Sequence, residues 1–270
     1  MNFYTPVEIP GSLPQLTHAD RLMLFGSCFA THIGMRLTNA KFRCDVNPYG
    51  VLYNPLSISA ALREIVEGKR YVQDDLFFFR ECWHSPMHHG DFSSSSVEET
   101  LRIINERIAS AHNTVFNADC LLLTFGTAWV YEQKHTGRIV GNCHKQPEKE
   151  FTRRRLEVDE IVLDYTSLLS GLLARNLDLK VIFTVSPIRH VRDGLHANQS
   201  ARLLCCWRWT GCKLLFRRMY SIFPPMNWFW MNCGITASTL KIWCILPKWL
   251  CSMCGNASRP PVFQRRRYRS

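Results

Sequence analysis

With 270 residues, 46% of them hydrophobic and 20% charged, the chain is long enough for one large domain or two small ones around a sizeable core, which excludes a disordered polyelectrolyte. Its formal charge of +11 would ordinarily point to nucleic acid or an anionic membrane. The charge is confined to one end: twelve of the 33 Lys and Arg, and none of the 22 Asp and Glu, lie in residues 200–270, so residues 1–199 carry 21 basic and 22 acidic side chains, a net of −1. No nucleic-acid partner is therefore expected.

Cysteine and tryptophan divide the same way, seven of the 12 Cys and six of the 8 Trp lying beyond residue 200. The earlier five, Cys28, Cys44, Cys82, Cys120 and Cys143, are scattered as reduced thiols are, not spaced as a disulfide framework. The first residues, MNFYTPVE, lack a basic segment followed by an apolar run, so no signal peptide and a cytoplasmic location are expected. The longest uncharged stretch, 219–240, contains Pro224-Pro225 and several Asn, Ser and Thr; it is no membrane span.

In chain order, 21–25 (RLMLF) is a short continuous apolar run, read as a buried parallel strand, that leads through Gly26-Ser27 into a helix over 28–37. The stretch 38–55 is loop-rich, and 56–67 carries a helical pattern. Another loop-rich stretch, 78–95, precedes a helix over 96–112 opened by Ser96-x-x-Glu99, a capping-box spacing. The run 119–125 (DCLLLTF) is a second buried strand and runs into Gly126-Thr127. A helix over 158–176 follows, with apolar positions Ile161, Leu163, Leu168, Leu169, Leu172 and Leu173. A third strand, 180–185 (KVIFTV), ends at Ser186-Pro187. Strands alternating with helices imply βαβ units: an α/β fold with a doubly wound, mostly parallel sheet, in three α/β/α layers.

Residues 200–270 read as an out-of-frame tail. The peptide over 226–233, MNWFWMNC, must be encoded ATG AAY TGG TTY TGG ATG AAY TGY. One nucleotide earlier the codons are GAA YTG GTT YTG GAT GAA YTG, which determines E-L-V-L-D-E-L, an ordinary helical sequence with the missing acidic residues. The same shift allows D-M-V-H-P-S over 241–247 and L-S-K-A-T-L-L-L over 200–207. The domain is accordingly expected to occupy residues 1–199, incomplete at its C-terminal side, with 200–270 unable to pack a core.

Gly26-Ser27 places a serine hydroxyl at the C-terminal edge of the sheet, where open α/β sheets bind ligands, and at a helix N-terminus that favours negative charge. The same dipeptide also serves as a tight turn with an N-cap serine. Cys28 is a rival nucleophile, better explained as a small packing residue. Cys82, His84, His88 and His89 have a metal-like density, but the spacing lacks a second ligand pair, so a loop near the cleft is expected and no metal or other cofactor. His190 and His196 flank the end of the third strand and are candidates to line the pocket. Cys251-x-x-Cys254 and the basic run Arg265-Arg266-Arg267 are products of the shifted frame on this reading.

Gly26-Ser27-Cys28-Phe29-Ala30 resembles the signature of the GSCFA family, close to the SGNH/GDSL-like hydrolases. The resemblance continues through Asn47-Pro48-Tyr49-Gly50, through 125–131 (FGTAWVY), Asn142-Cys143-His144-Lys145 and 186–190 (SPIRH). It implies a serine hydrolase acting on a small-molecule or carbohydrate ester, with Ser27 as nucleophile. Gly50 and Asn142 would complete the oxyanion hole, with Gly126 and Thr127 as rival donors and His190 at the substrate pocket. The histidine base of such enzymes lies in a D-x-x-H block, which here exists only in the shifted frame. Ile242, Trp243, Cys244 and Ile245 stand in its place and cannot act as a base. A non-catalytic binding or cell-envelope-associated module on the same scaffold is the alternative.

Overall fold

The computed structural model describes residues 15–186, Ala201 and the backbone of 219–222. His190, His196, the shifted D-x-x-H position and most of the expected tail lie outside the described residues.

The centre is a five-stranded parallel sheet of β1 (Arg21–Gly26), β2 (Arg43–Val46), β5 (Cys120–Phe125), β8 (Lys180–Val185) and β9 (Met219–Ile222), in the order β2-β1-β5-β8-β9. Two antiparallel pairs sit outside it: β3 (Phe77–Phe79) with β4 (Cys82–His84), and β6 (Trp129–Gln133) with β7 (Phe151–Arg155). Among the described residues four α-helices flank the sheet in three layers: α1 (Cys28–Asn39), α2 (Pro55–Glu67), α3 (Val97–Val115) and α4 (Val158–Arg175).

Side chains alternate across the sheet with the period of two that a strand imposes. Met23, Phe25, Leu121, Leu123, Phe125, Val181 and Phe183 join the large core under α2, α3 and α4. Leu22, Leu24, Leu122 and Ile182 point to the other face, where α1 lies against β1 and β2, and they are equally buried. Burial on both faces explains why these strands read as unbroken apolar runs.

The helices bury the stripes that 3.6-residue periodicity predicts: Ile58, Ala61, Leu62 and Ile65 on α2, and Ile104, Ile108, Ala111 and Val115 on α3. On α4 the stripe is Ile161, Tyr165, Leu168, Leu169 and Leu172, and Leu163 falls off it, 71% exposed. α2 is bounded as its sequence dictates, with the Asn54 side chain accepting from Ser57 N, Pro55 in the first turn and Gly68 in the left-handed region after it. The Ser96 box closes by half. Ser96 Oγ accepts from Glu99 N at 3.2 Å, but the Glu99 carboxylate pairs with Arg102 and the Ser96 amide donates to Ser94 Oγ.

β2 falls inside the stretch 38–55 expected to be loop. It is short, polar and at the sheet edge, and its Asp45 pairs with Arg107 of α3. β9 falls inside the segment expected to be out of frame; its backbone pairs in parallel with β8, Val181 opposite Met219. Counting only the sheet's own strands, the order is 2-1-3-4-5, and the winding direction reverses between β1 and β5. That switch point sets the crevice at the ends of β1 and β5, at Gly26-Ser27 and Gly126-Thr127. Among the described residues no helix is long and apolar enough to cross a membrane.

Candidate functional site at the sheet switch point

β1 ends at Gly26 with φ 145°, directly against β5: a Cβ there would meet the Thr124 carbonyl oxygen at 2.3 Å. Only glycine lets the two strands close at this level. Ser27 follows as the N-cap of α1, its Oγ accepting from Phe29 N at 3.3 Å, and the residue is 1% exposed. The hydroxyl thus stands at the C-terminal end of β1, engaged as a cap and covered.

The turn is clamped by the 47–52 loop. Asn47 N donates to Leu24 O at 2.8 Å, Gly26 N donates to Asn47 Oδ1 at 2.8 Å, and Leu52 N donates to Gly26 O at 3.1 Å. Asn47 also donates through Nδ2 to Thr31 Oγ1 of α1 at 2.8 Å, so one buried side chain ties strand end, loop and helix together. It adopts φ 46°, which asparagine tolerates better than most residues. Gly50 follows at φ 75°, packed so tightly that a Cβ would meet His89 Cβ at 2.2 Å.

Of the expected oxyanion donors, the backbone amides are committed inside the protein. Gly50 N donates to Asn47 O at 2.8 Å, and Gly126 N and Thr127 N both donate to Tyr53 O, at 2.7 and 3.1 Å. Asn142 N donates to Pro86 O at 3.0 Å and its Oδ1 accepts from His144 N at 2.9 Å, which leaves Nδ2 as its donor. Gly50 and Asn142 are brought to one segment, residues 85–89. His89 N donates to Tyr49 O at 2.9 Å, and Pro86 O receives Gly141 N as well as Asn142 N. Gly126 and Thr127 meet the other side of the 47–54 loop, at Tyr53.

His88 and His84 of the 78–95 stretch pack with His144 in an aromatic cluster. His88 is fully buried, stacked on Tyr49 at 4.0 Å between ring centroids and edge-on to Tyr71 at 5.0 Å, with Nδ1 2.8 Å from Ser85 Oγ. Desolvation, then the Lys69 and His144 charges, push its pKa down to about 3. His144 stands 4.4 Å from the His84 ring, with Nε2 2.8 Å from Ser85 O. Desolvation outweighs that hydrogen bond and lowers its pKa to about 4. Below them the Glu64 carboxylate accepts from the hydroxyls of Tyr49 and Tyr71, at 2.8 and 2.7 Å, and from Lys69 Nζ at 2.9 Å. Burial, then the neighbouring charges, hold both phenols far above their ordinary range. Among the described residues no three His, Cys, Asp or Glu side chains converge on a metal position.

The family pattern for GSCFA proteins matches residues 21–205. The chain belongs to the GSCFA family. The match takes in the Gly26-Ser27 turn, the 47–50 loop, Asn142 and His144, the parts that the structure links through the 85–89 segment. No curated protein and no solved structure matches the chain. Within this GSCFA chain the order of importance differs from the sequence reading. Asn47 and residues 85–89 hold the site together, whereas in the sequence Asn47 stands only as part of a motif and His88 and His89 only as members of a loop near the cleft. The signal for Asn47 was available: an asparagine before proline and three residues before glycine marks a turn whose side chain bonds the backbone.

Proposed function

We propose that this GSCFA protein descends from, and in its complete form is, a serine esterase that transfers an acyl group through Ser27. The observation that carries the reading is the position of Ser27, at the first turn of α1 and at the topological switch of a parallel sheet, on a strand end fixed by Asn47. Ser27 Oγ would attack the ester carbonyl, the alcohol would leave with a proton, and water would then hydrolyse the acyl-serine. The proton needs a base, and the D-x-x-H block that supplies it in similar enzymes lies in the other frame.

One observation supports a shifted frame in the segment after residue 199, and a second is compatible with it. The family match stops at residue 205, although the chain continues to 270. β9 occupies the fifth strand position, and one nucleotide earlier the codons over 219–224 allow V-F-Y-F-P, a β-branched and aromatic strand closed by proline. Both readings put a strand there; only the shifted one follows it with acidic helix and D-x-x-H.

A second reading, a binding module on the same scaffold, draws on the burial of Ser27 and its use as a helix cap. Three proteins separate the two: the chain as it stands, the frame-restored chain, and the restored chain with Ser27→Ala. Fluorophosphonate labelling and a short-chain aryl ester assay should give turnover only in the second. General-base assistance contributes about 10²–10⁴ in rate, so the first should retain only a residue of it. Equal turnover in all three would overturn the mechanism, and no turnover across a broad ester panel would favour the binding module.

A further inference from the structure

The β3–β4 hairpin carries an aromatic strand along an open edge. Its two-residue turn, Arg80-Glu81, has φ of 48° and 62°, the left-handed pair of a type I′ turn. The register sets Phe79 opposite Cys82, Phe78 opposite Trp83 and Phe77 opposite His84. Trp83 N donates away from β3, to Ser94 O at 2.7 Å, so Phe78 and Trp83 form the pair without mutual hydrogen bonds. The N–H and C=O of Phe78 therefore point outward, along an edge where among the described residues no strand pairs with β3. Phe77 packs inward on His84 and His144, at 5.5 and 5.7 Å between ring centroids, while Phe78 is 56% exposed. β2, the edge of the central sheet, carries Arg43 and Asp45, charges of the kind that discourage pairing. β3 is Phe-Phe-Phe and has no such guard.

We propose that β3 is the contact of a homodimer, in which two copies pair antiparallel across a two-fold axis through Phe78. Such a pair is self-complementary, because Phe78 offers both of its backbone groups and the two copies exchange two hydrogen bonds. Phe77 of one copy stands opposite Phe79 of the other, and the two Phe78 rings meet on the exposed face. Charge selects a second copy over a foreign strand. The pairing brings Arg80, the turn residue on the β3 side, opposite Leu76 of the second copy and beside its 73–75 turn, where Asp74 is exposed. Asp75 is already engaged, accepting from Val72 N at 3.0 Å and lying 3.6 Å from Lys69, so Asp74 is the carboxylate that meets Arg80. Glu81 sits on the β4 side, about 4.8 Å further from the axis. Symmetry repeats the Arg80–Asp74 contact twice. A pairing this short is well below the roughly 1,200 Å² that stable interfaces bury, so the dimer is weak and concentration-dependent. β4 runs directly into residues 85–89, so pairing at β3 braces the segment that holds the loop beside Ser27.

The test is sedimentation velocity on the full chain over a wide range of concentration, with amide exchange read at Phe78. Monomer and dimer should interconvert reversibly, and the Phe78 amide should gain protection as the dimer fills. Phe78→Pro removes a donor that serves no bond within the hairpin, at an edge position where proline is tolerated. It should abolish the dimer and leave the thermal unfolding of the monomer unchanged. Arg80→Glu and Asp74→Arg should each weaken the dimer about tenfold, since each sets two like-charged pairs across the axis. Mixing those two variants turns both pairs back into opposite charges and should restore the affinity, a rescue that non-specific association through residues 200–270 does not give. A dimer indifferent to Phe78→Pro, or charge variants that fail to rescue each other, would overturn the proposal. So would a chain that stays monomeric at every concentration, even one that captures an aromatic strand peptide or phospholipid vesicles through Phe78.

Discussion

Replacing Asn47 with alanine should cost more stability than its modest size suggests, because the residue does two separable jobs. Its Oδ1 is the acceptor for the buried Gly26 amide, and stranding a buried donor costs about 1–3 kcal/mol. Its φ of 46° adds about 1–2 kcal/mol for a residue with an ordinary Cβ. Asn47→Ala should therefore destabilise by about 2–5 kcal/mol. Asn47→Gly removes the acceptor but relieves the backbone, so it should fall below Ala by about 1 kcal/mol, less the extra freedom glycine gives the unfolded chain. Asn47→Asp retains the Oδ1 acceptor and tolerates the left-handed region, losing only the donation to Thr31, and should be mildest. Urea unfolding followed by circular dichroism, with slopes compared across the three, measures the order. If Ala is no worse than Gly, the backbone term is wrong; if all three lie within about 0.5 kcal/mol of the parent, the clamp is not a clamp.

Acidification should weaken the fold through His88 and His144, whose folded pKa values of about 3 and about 4 lie below the unfolded 6.5. The unfolded chain binds protons that the folded chain refuses. Stability is thus intact above pH 6.5 and falls as pH drops toward the folded values, by about 2 kcal/mol at pH 5 from the buried His88, with a smaller share from His144, which solvent partly screens. Thermal unfolding at matched salt should show this, with His88→Phe removing most of the slope, and a melting temperature flat from pH 7 to 5 would contradict it. Gly50→Ala combines a φ of 75° with a Cβ that meets His89 at 2.2 Å, and should cost at least about 2 kcal/mol by the same unfolding measurement; a loss under about 0.5 would show that the loop relaxes freely. Sequencing the coding DNA across codons 199–200 should reveal one missing nucleotide and an open shifted frame through E-L-V-L-D-E-L, whereas stop codons in that frame would end the idea.

What could be read from the sequence follows burial. β1, β5 and β8 were legible because both faces are covered and the runs are continuous. β2 was not, since its four residues are Arg, Cys, Asp and Val at an edge, with no period to detect. β7 was not singled out, having three arginines in five residues, yet Arg153 lies over the Trp129 ring at 4.1 Å and the Tyr131 ring at 5.6 Å, so that its flat guanidinium packs on β6. Leu163 was counted as core because it is apolar, but it sits two positions after Ile161 and so faces away from the stripe. In the site, Ser27 could be placed from the strand-turn-helix pattern alone. The partners of its turn could not: the turn pattern at Asn47 does not name Gly26 as its partner, and Tyr53 and residues 85–89 come in through loops whose course no local pattern encodes.

The backbone at the switch point argues for more than a turn. A strand-to-helix connection needs a cap, and Ser27 supplies one through a single bond to Phe29 N. Nothing in that task requires Gly26 at φ 145° against Thr124, Asn47 at φ 46° or Gly50 at φ 75°. Each is a conformation that ordinary side chains avoid, and all three are stitched to one another by Asn47: to Gly26 through its side chain, and to Gly50 through its carbonyl. Strained positions persist only where surrounding structure over-determines them, and they concentrate where geometry has to be held for chemistry or binding. Here the surrounding structure is the 85–89 segment, held in turn by His88 buried against Tyr49 and by His144 on Ser85. The histidine cluster therefore acts as the buttress of the loop, and the loop as the clamp of the serine. Weakening the cluster should loosen the Gly26-Ser27 turn before it unfolds the sheet, because β1 and β5 are joined over five register pairs that do not pass through it.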